Sequence, residues 1–155
     1  MITAYDISLA RPAHALEIAQ LSRDAIEYDL PWRWTQGRVM RSIRDAATNV
    51  VVARRDGELL GFAVMKYGED EAHVLLLAVR AAQRRSGLGS ALLAWLEATA
   101  SVAGIRTIRL EARAANAAAR AFYRRHGFEE SGVSPRYYED AEDGVRMVKH
   151  LGSGS

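Results

Sequence analysis

His73-Val-Leu-Leu-Leu-Ala-Val-Arg-Ala-Ala-Gln-Arg-Arg-Ser-Gly-Leu-Gly-Ser-Ala-Leu-Leu-Ala-Trp-Leu-Glu-Ala-Thr99 is the stretch from which the architecture can be worked out. It opens with an apolar run, His73 to Val79, which reads as a buried strand. A basic, glycine-containing turn follows, Arg84-Arg85-Ser86-Gly87-Leu88-Gly89. Then Leu88, Leu92, Trp95, Leu96 and Thr99 recur at spacings of three and four, the signature of one helix face. A strand, a glycine turn and a helix start together make an anion cradle. The first N–H groups of a helix have no internal partner and point outward. Gly87 and Gly89 carry no Cβ, so phosphate oxygens could reach those groups. Arg84 and Arg85 add charge and forked donors. The plainer reading is an ordinary strand-to-helix turn with two solvated arginines; the flanking strand and helix favour the anion site.

The turn is not a dinucleotide fingerprint, because Leu92 stands where the third glycine would be. It is not a P-loop either, because no Gly-Lys-Ser/Thr follows. The pattern Arg84-x-x-Gly87-x-Gly89, after a strand ending Leu77-Ala78-Val79, resembles the acetyl-coenzyme A motif of the GNAT superfamily of N-acetyltransferases.

At 155 residues, 49% hydrophobic and 26% charged, the chain suits one globular domain with a substantial core. We assign that domain to residues 1–151, and read Gly152-Ser153-Gly154-Ser155 as a flexible tail. No run of eighteen apolar residues suggests a membrane span, and the N-terminus lacks the basic-then-apolar pattern of a signal peptide. Cysteine is absent, which removes disulfides and an acyl-cysteine intermediate and fits a cytoplasmic protein. A formal charge of +2 with mixed signs argues against nucleic acid. The four histidines, 14, 73, 126 and 150, show no metal-ligand spacing, so no metal is expected.

In chain order, residues 2–9 read as a strand. Pro12 opens a helix running to about Asp29, which Pro31 stops. Trp32 and Trp34 form a connector, as core lids or as walls of a substrate pocket. Thr35 caps a second helix. Asn49–Arg54 and Leu59–Tyr67 make a hairpin around Asp56-Gly57, and the central strand follows. After Gly104 comes a strand, Ile105–Ala112. Asn116 caps the helix Ala117–His126, which Gly127 ends. Phe128 begins another strand, residues 139–144 form an acidic loop, and Val145–Leu151 is the last strand. The expected fold is α/β: a mixed, mostly antiparallel sheet of about seven strands with helices on both faces, the GNAT layout.

The segment Leu110-Glu111-Ala112-Arg113, Asn116-Ala117-Ala118-Ala119, Phe122-Tyr123 and Gly127-Phe128 resembles the motif series of the RimI-like ribosomal-protein N-terminal-alanine acetyltransferases. Arg136-Tyr137-Tyr138, Met147 and Pro31-Trp32 also fit that branch. Amine acetylation needs a base for the amine, donors for the developing oxyanion and an acid for the leaving thiolate. The resemblance implies Glu111 as base and Tyr123 as acid. It implies that backbone N–H groups near Leu77, Ala78 and Val79 polarise the thioester. It places acetyl-coenzyme A on Arg84, Arg85, Ser86, Gly87, Leu88, Gly89 and Ser90, with Asn116 and Tyr123 along its arm. It implies Trp32, Tyr137 and Tyr138 as acceptor contacts.

Plainer roles stand beside these. Glu111 could form a surface salt bridge with Arg109 and Arg113. Tyr123 could pack on Phe122, Asn116 could only cap, and Tyr137 and Tyr138, in the loop region before the last strand, could be surface aromatics. Glu139, Asp140, Glu142 and Asp143 could be a solvated turn or an attractor for a cationic amine. One departure from the branch is Leu76, where it often has a polar residue. The expected activity is acetyl transfer to a primary amine within a ternary complex, most simply a protein or peptide N-terminus, by a monomer or homodimer. A small-amine acetyltransferase and an idle acyl-coenzyme A sensor are the alternatives.

Overall fold

The computed structural model describes residues 5–138 and 142–152. Strands are β1 Asp6–Leu9, β2 Thr48–Arg55, β3 Glu58–Tyr67, β4 Glu71–Val79, β5 Thr107–Arg113, β6 Glu129–Tyr138 and β7 Glu142–His150. Helices are α1 Ala15–Ala25, α2 Gln36–Arg44, α3 Leu88–Val102 and α4 Ala117–Arg125. One seven-stranded sheet runs in the order β1-β2-β3-β4-β5-β7-β6. Every neighbouring pair is antiparallel except β4 and β5.

Two apolar layers follow from the alternation of side chains along the central strands. One carries Val51, Ala53, Leu60, Ala63 and Met65 together with Leu88, Leu92, Leu93 and Leu96 of α3. The other carries Val50, Val52, Leu59, Phe62 and Val64 together with Ile18 and Leu21 of α1 and Val39 of α2. Each fully buried leucine contributes about 1.5–3 kcal/mol. The stripe expected on α3 is thus real, though Leu93 and Ala100 complete it while Trp95 is only partly covered.

The central strand departs from simple alternation. Opposite β3, Val64 pairs with Leu76 but Met65 pairs with Val74, so Leu75 is an extra residue in β4. This bulge switches the faces. Ahead of it, Ala72 and Val74 belong to the α3 layer; beyond it, Leu76 and Ala78 belong to the α1–α2 layer, and Leu77 and Val79 turn towards α3. Leu76, the departure from the branch pattern, is therefore core: it is buried among residues of α1 and α2.

The strand expected at Ile105–Ala112 is Thr107–Arg113, and Pro12 opens a 3-10 turn ahead of α1. Three further differences shape the cleft. Helix α1 ends at Ala25, not near Asp29. The buried Glu27 carboxylate accepts bonds from the Ser22 hydroxyl and from the Arg33 and Trp34 N–H groups, and Asp29 adopts φ 61°, so the chain folds back around Glu27. Tyr137 and Tyr138 close β6 instead of lying in a loop, because Tyr138 pairs with Glu142. β7 starts at Glu142, earlier than Val145. Of the remaining expectations, those concerning residues 2–4, Glu139, Asp140 and residues 153–155 lie outside the described residues.

Candidate active site

Parallel pairing of β4 with β5 holds only from Glu71–Thr107 to Val74–Leu110. Beyond that point both strands continue without each other, β4 on β3 and β5 on β7. Phe62 and Ala78 face each other, and the Arg80 N–H reaches the Leu60 carbonyl at 2.8 Å. Alternation then commits the Ala78 N–H to β3 and turns the N–H groups of Leu77 and Val79 towards the gap. On the other bank, the Ala114 N–H bonds Asp143 of β7, so the Glu111 carbonyl faces the gap too. The gap opens into a cleft of about 1040 Å³.

At one end of the cleft is the basic turn. Arg84, Arg85, Gly87, Gly89 and Ser90 line it. Arg85 and Gly87 both have positive φ, 65° and 86°, which bends the chain into the start of α3. At Gly89 a Cβ would lie 3.4 Å from the Phe122 ring, so α4 covers this position and leaves little room beyond a methyl group. The Ser90 hydroxyl joins the two helices through His126 Nε2 at 2.9 Å. Two predicted residues do not line the cleft with their side chains. Leu88 is buried in the α3 layer, and the Ser86 hydroxyl bonds the Gln83 carbonyl within the turn.

Midway lies Tyr123. Its ring is held edge-on by Phe122 and Phe128, with centroids 5.2 and 5.6 Å away. Only 8% of the residue is exposed, yet it lines the cleft. Burial pushes its phenol well above the ordinary tyrosine range, so it is a protonated donor at neutral pH. Asn116 caps α4: its Oδ1 accepts the Ala119 N–H at 3.0 Å. That leaves its amide donors facing the cleft without a bond among the described residues.

Glu111 occupies the opposite bank. The salt bridge with its strand neighbours, the plainer alternative, does not form, because Arg109 pairs with Glu71 and Arg113 with Asp29 and Glu142. The partner of Glu111 is His73, whose Nε2 lies 2.8 Å from Oε1. Tyr137 shares a hydrogen bond with the same carboxylate. Burial, then the Glu111 charge and that bond, push the Tyr137 phenol up to about 12. The Tyr138 hydroxyl donates to the Glu111 carbonyl at 2.9 Å, across the edge that β4 leaves open. The two tyrosine rings meet edge-to-face, centroids 4.9 Å apart.

The wall beside Glu111 is the connector between α1 and α2. Trp34, not Trp32, lines the cleft there. Trp32 turns outward: its indole N–H bonds the Ala19 carbonyl at 3.2 Å, and Arg23 lies 4.9 Å over its ring. Arg113 ties the wall to the sheet. It donates to the Ile26 and Tyr28 carbonyls, to Asp29 and to Glu142, and stacks 4.2 Å from the Tyr28 ring. Glu142 also accepts the Ala115 N–H at 2.8 Å, and Asp143 accepts the Arg136 N–H at 2.9 Å. Glu142 is thus a structural acid, whereas Asp143 bonds the backbone but stays exposed. Among the described residues, no group of His, Cys, Asp and Glu is arranged to hold a metal ion, and no helix is long and apolar enough to cross a membrane.

Comparison with known proteins agrees with this fold. Residues 14–128 match the acetyltransferase (GNAT) family. An uncharacterized N-acetyltransferase of Methanocaldococcus jannaschii is 38% identical over 99 residues, 63% of this chain and 64% of that protein. The [ribosomal protein bS18]-alanine N-acetyltransferase of Escherichia coli is 38% identical over 97 residues, 61% of this chain and 66% of its own length. The matched segment thus spans just under two thirds of each relative. Ard1 from Thermoplasma volcanium, a solved structure, superimposes with a TM-score of 0.86 at 27% identity, covering 97% of this chain and 99% of that one.

Proposed function

The chain belongs to the acetyltransferase (GNAT) family, and from that premise we propose that it transfers acetyl from acetyl-coenzyme A to a primary amine while both are bound. One observation carries the reading: a single cleft joins the basic turn, the free Leu77–Val79 edge, Tyr123 and Glu111. The residues fit the cosubstrate. The start of α3 offers unpartnered N–H groups beside Arg84 and Arg85, and the space around Gly87 is open. Asn116 offers its amide donors along the same wall.

Each residue then has a task. Glu111 accepts the proton of the attacking amine, directly or through water, with His73 and Tyr137 fixing its carboxylate. Leu77 and Val79 present N–H groups where the thioester carbonyl gains charge. As the N–C bond forms and the C–S bond breaks, Tyr123 gives its proton to the departing sulfur. Burial that keeps this phenol protonated supports the role.

The acceptor we favour is a protein or peptide N-terminus. Tyr137 and Tyr138 wall the amine end, where their rings can cover the first residues of a peptide. The Escherichia coli relative, by its name, acts on an alanine of a ribosomal protein. The small-amine alternative leaned on the acidic loop, and Glu142 and Asp143 are already engaged internally. Thiol release from acetyl-coenzyme A, measured with N-terminal peptides and with spermidine and an amino-sugar, tests the assignment. Turnover of the small amines alone would replace the acceptor class, and no turnover with any amine would favour the sensor.

A further inference from the structure

Arg38 stands in the first turn of α2 and lines the cleft on the wall beside Tyr137. Its guanidinium lies 3.9 Å from the centre of the Trp34 ring, and Trp34 is itself buried. Stacking on a fixed indole occupies the face of the guanidinium and leaves its edge donors directed outward. No carboxylate among the described residues uses them.

The other described charges on this side of the cleft are met locally. Arg113 is bound by Asp29 and Glu142, and Arg33 is engaged. Glu111 is bound by His73, and Glu27 by backbone N–H groups. Arg84 and Arg85 lie at the far, α3 end. Among the described residues, Arg38 is therefore a preorganised cation with no carboxylate partner, near the amine site. It is close enough to Tyr137 to draw its phenol downward, against burial and Glu111.

We propose that Arg38 selects acceptor peptides that carry a carboxylate side chain at their second or third residue. The proposal rests on the peptide reading of the cleft. A peptide whose amine reaches Glu111 extends about 3.3–3.6 Å per residue, so one or two residues carry it past Tyr137 towards Arg38. There a glutamate or aspartate can accept two parallel N–H bonds from the guanidinium edge. A neutral amide offers only one acceptor atom and no charge.

The test uses the full chain with one peptide series, identical except for Glu, Gln or Lys at position 2 or position 3. Wild type, Arg38→Ala, Arg38→Gln and Arg38→Glu are compared by kcat/KM, with acetyl-coenzyme A affinity as the check on folding. Wild type should prefer Glu over Gln by about 10- to 100-fold at one of the positions, the worth of a charge-assisted bond. Arg38→Ala and Arg38→Gln should flatten the series, and Arg38→Glu should favour Lys. A flat series in wild type, or a Glu preference that survives in Arg38→Ala, overturns the assignment while the peptide reading stands. If wild type acetylates none of the peptides but does acetylate spermidine, the peptide reading itself falls and this selection with it.

Discussion

His73 and Glu111, on the parallel strands β4 and β5, meet with Nε2 2.8 Å from Oε1. The contact spans the last paired residues before the sheet opens, so a carboxylate at the mouth of the cleft is aimed from within the sheet. If Glu111 is the base, Glu111→Gln should lower kcat by about 100- to 10,000-fold, the usual worth of general base catalysis. His73→Ala should cost less, because Tyr137 still holds the carboxylate. In the double variant the His73 change should add almost nothing. Steady-state kinetics on the four proteins decides it; full additivity would make His73 a bystander.

Tyr123→Phe keeps the ring contacts with Phe122 and Phe128 and deletes only the hydroxyl. The expected result is a fall of about 100- to 10,000-fold in kcat with acetyl-coenzyme A affinity unchanged, because the loss lies in the transition state. Calorimetry and kinetics on one preparation separate an acid from an anchor. Weakened binding with normal kcat would make the tyrosine an anchor.

Arg84→Ala should weaken acetyl-coenzyme A by about 1.5–3 kcal/mol, the range for one charge-assisted bond. Gly89→Val should weaken it further, since its side chain would press on Phe122 and part α3 from α4. Unaltered calorimetric affinity in both folded variants would remove the turn from the binding site.

Glu142→Gln separates a structural acid from a solvated one. Arg113, only 6% exposed, would lose the nearer of its two charged partners, at 2.6 Å, and keep Asp29. The loss should be about 1.5–3 kcal/mol, or roughly 3–12 °C in Tm for a domain of this size. A free surface acid would change stability by less than about 0.5 kcal/mol. By contrast, Tyr137→Phe should leave Tm nearly unchanged and raise KM for peptides.

His14 gives a pH signature. Burial first, then Arg54 and Arg11, hold its imidazole below the ordinary value, while its Nδ1 accepts the Arg11 N–H at 3.0 Å. The unfolded chain therefore binds this proton more readily than the folded one. Stability is full above about pH 6.5 and declines as pH falls towards the lowered folded value. His14→Asn, which can still accept that bond, should flatten Tm between pH 7.5 and 5.5 relative to wild type. Parallel curves would contradict the shift.

Much of this was legible in the sequence because it is local. The turn at Arg84–Gly89, the α3 stripe and the Asn116 cap depend on residues within a few positions of one another. Tyr123 and Glu111 came from the motif series. What could not be read depends on register. His73 is 38 positions from Glu111, and only the parallel alignment of β4 with β5 makes them neighbours. Arg113 gathers the connector at residues 26–29 through contacts that no periodicity encodes. Trp32 and Trp34 are chemically alike and two residues apart. The buried Glu27, a charge that reads as exposed, decides which of them faces the cleft.

The extra residue at Leu75 sets a phase. Everything from Leu76 to Val79 is seated by a count of residues along the strand, not by the identity of any one of them. Conservative exchanges within this run should therefore be absorbed, since each position asks only for an apolar side chain of suitable volume. Removing a single residue acts on that count. Val64 and Met65 face opposite layers, and without Leu75 they would meet Leu76 and Val74 as consecutive residues of a regular strand. Deleting Leu75 should therefore leave Leu76 and Ala78 facing α1 and α2, and the N–H groups of Leu77 and Val79 facing the cleft, with folding and cofactor binding retained. In this strand one residue is spare, and it is the one that makes the bulge.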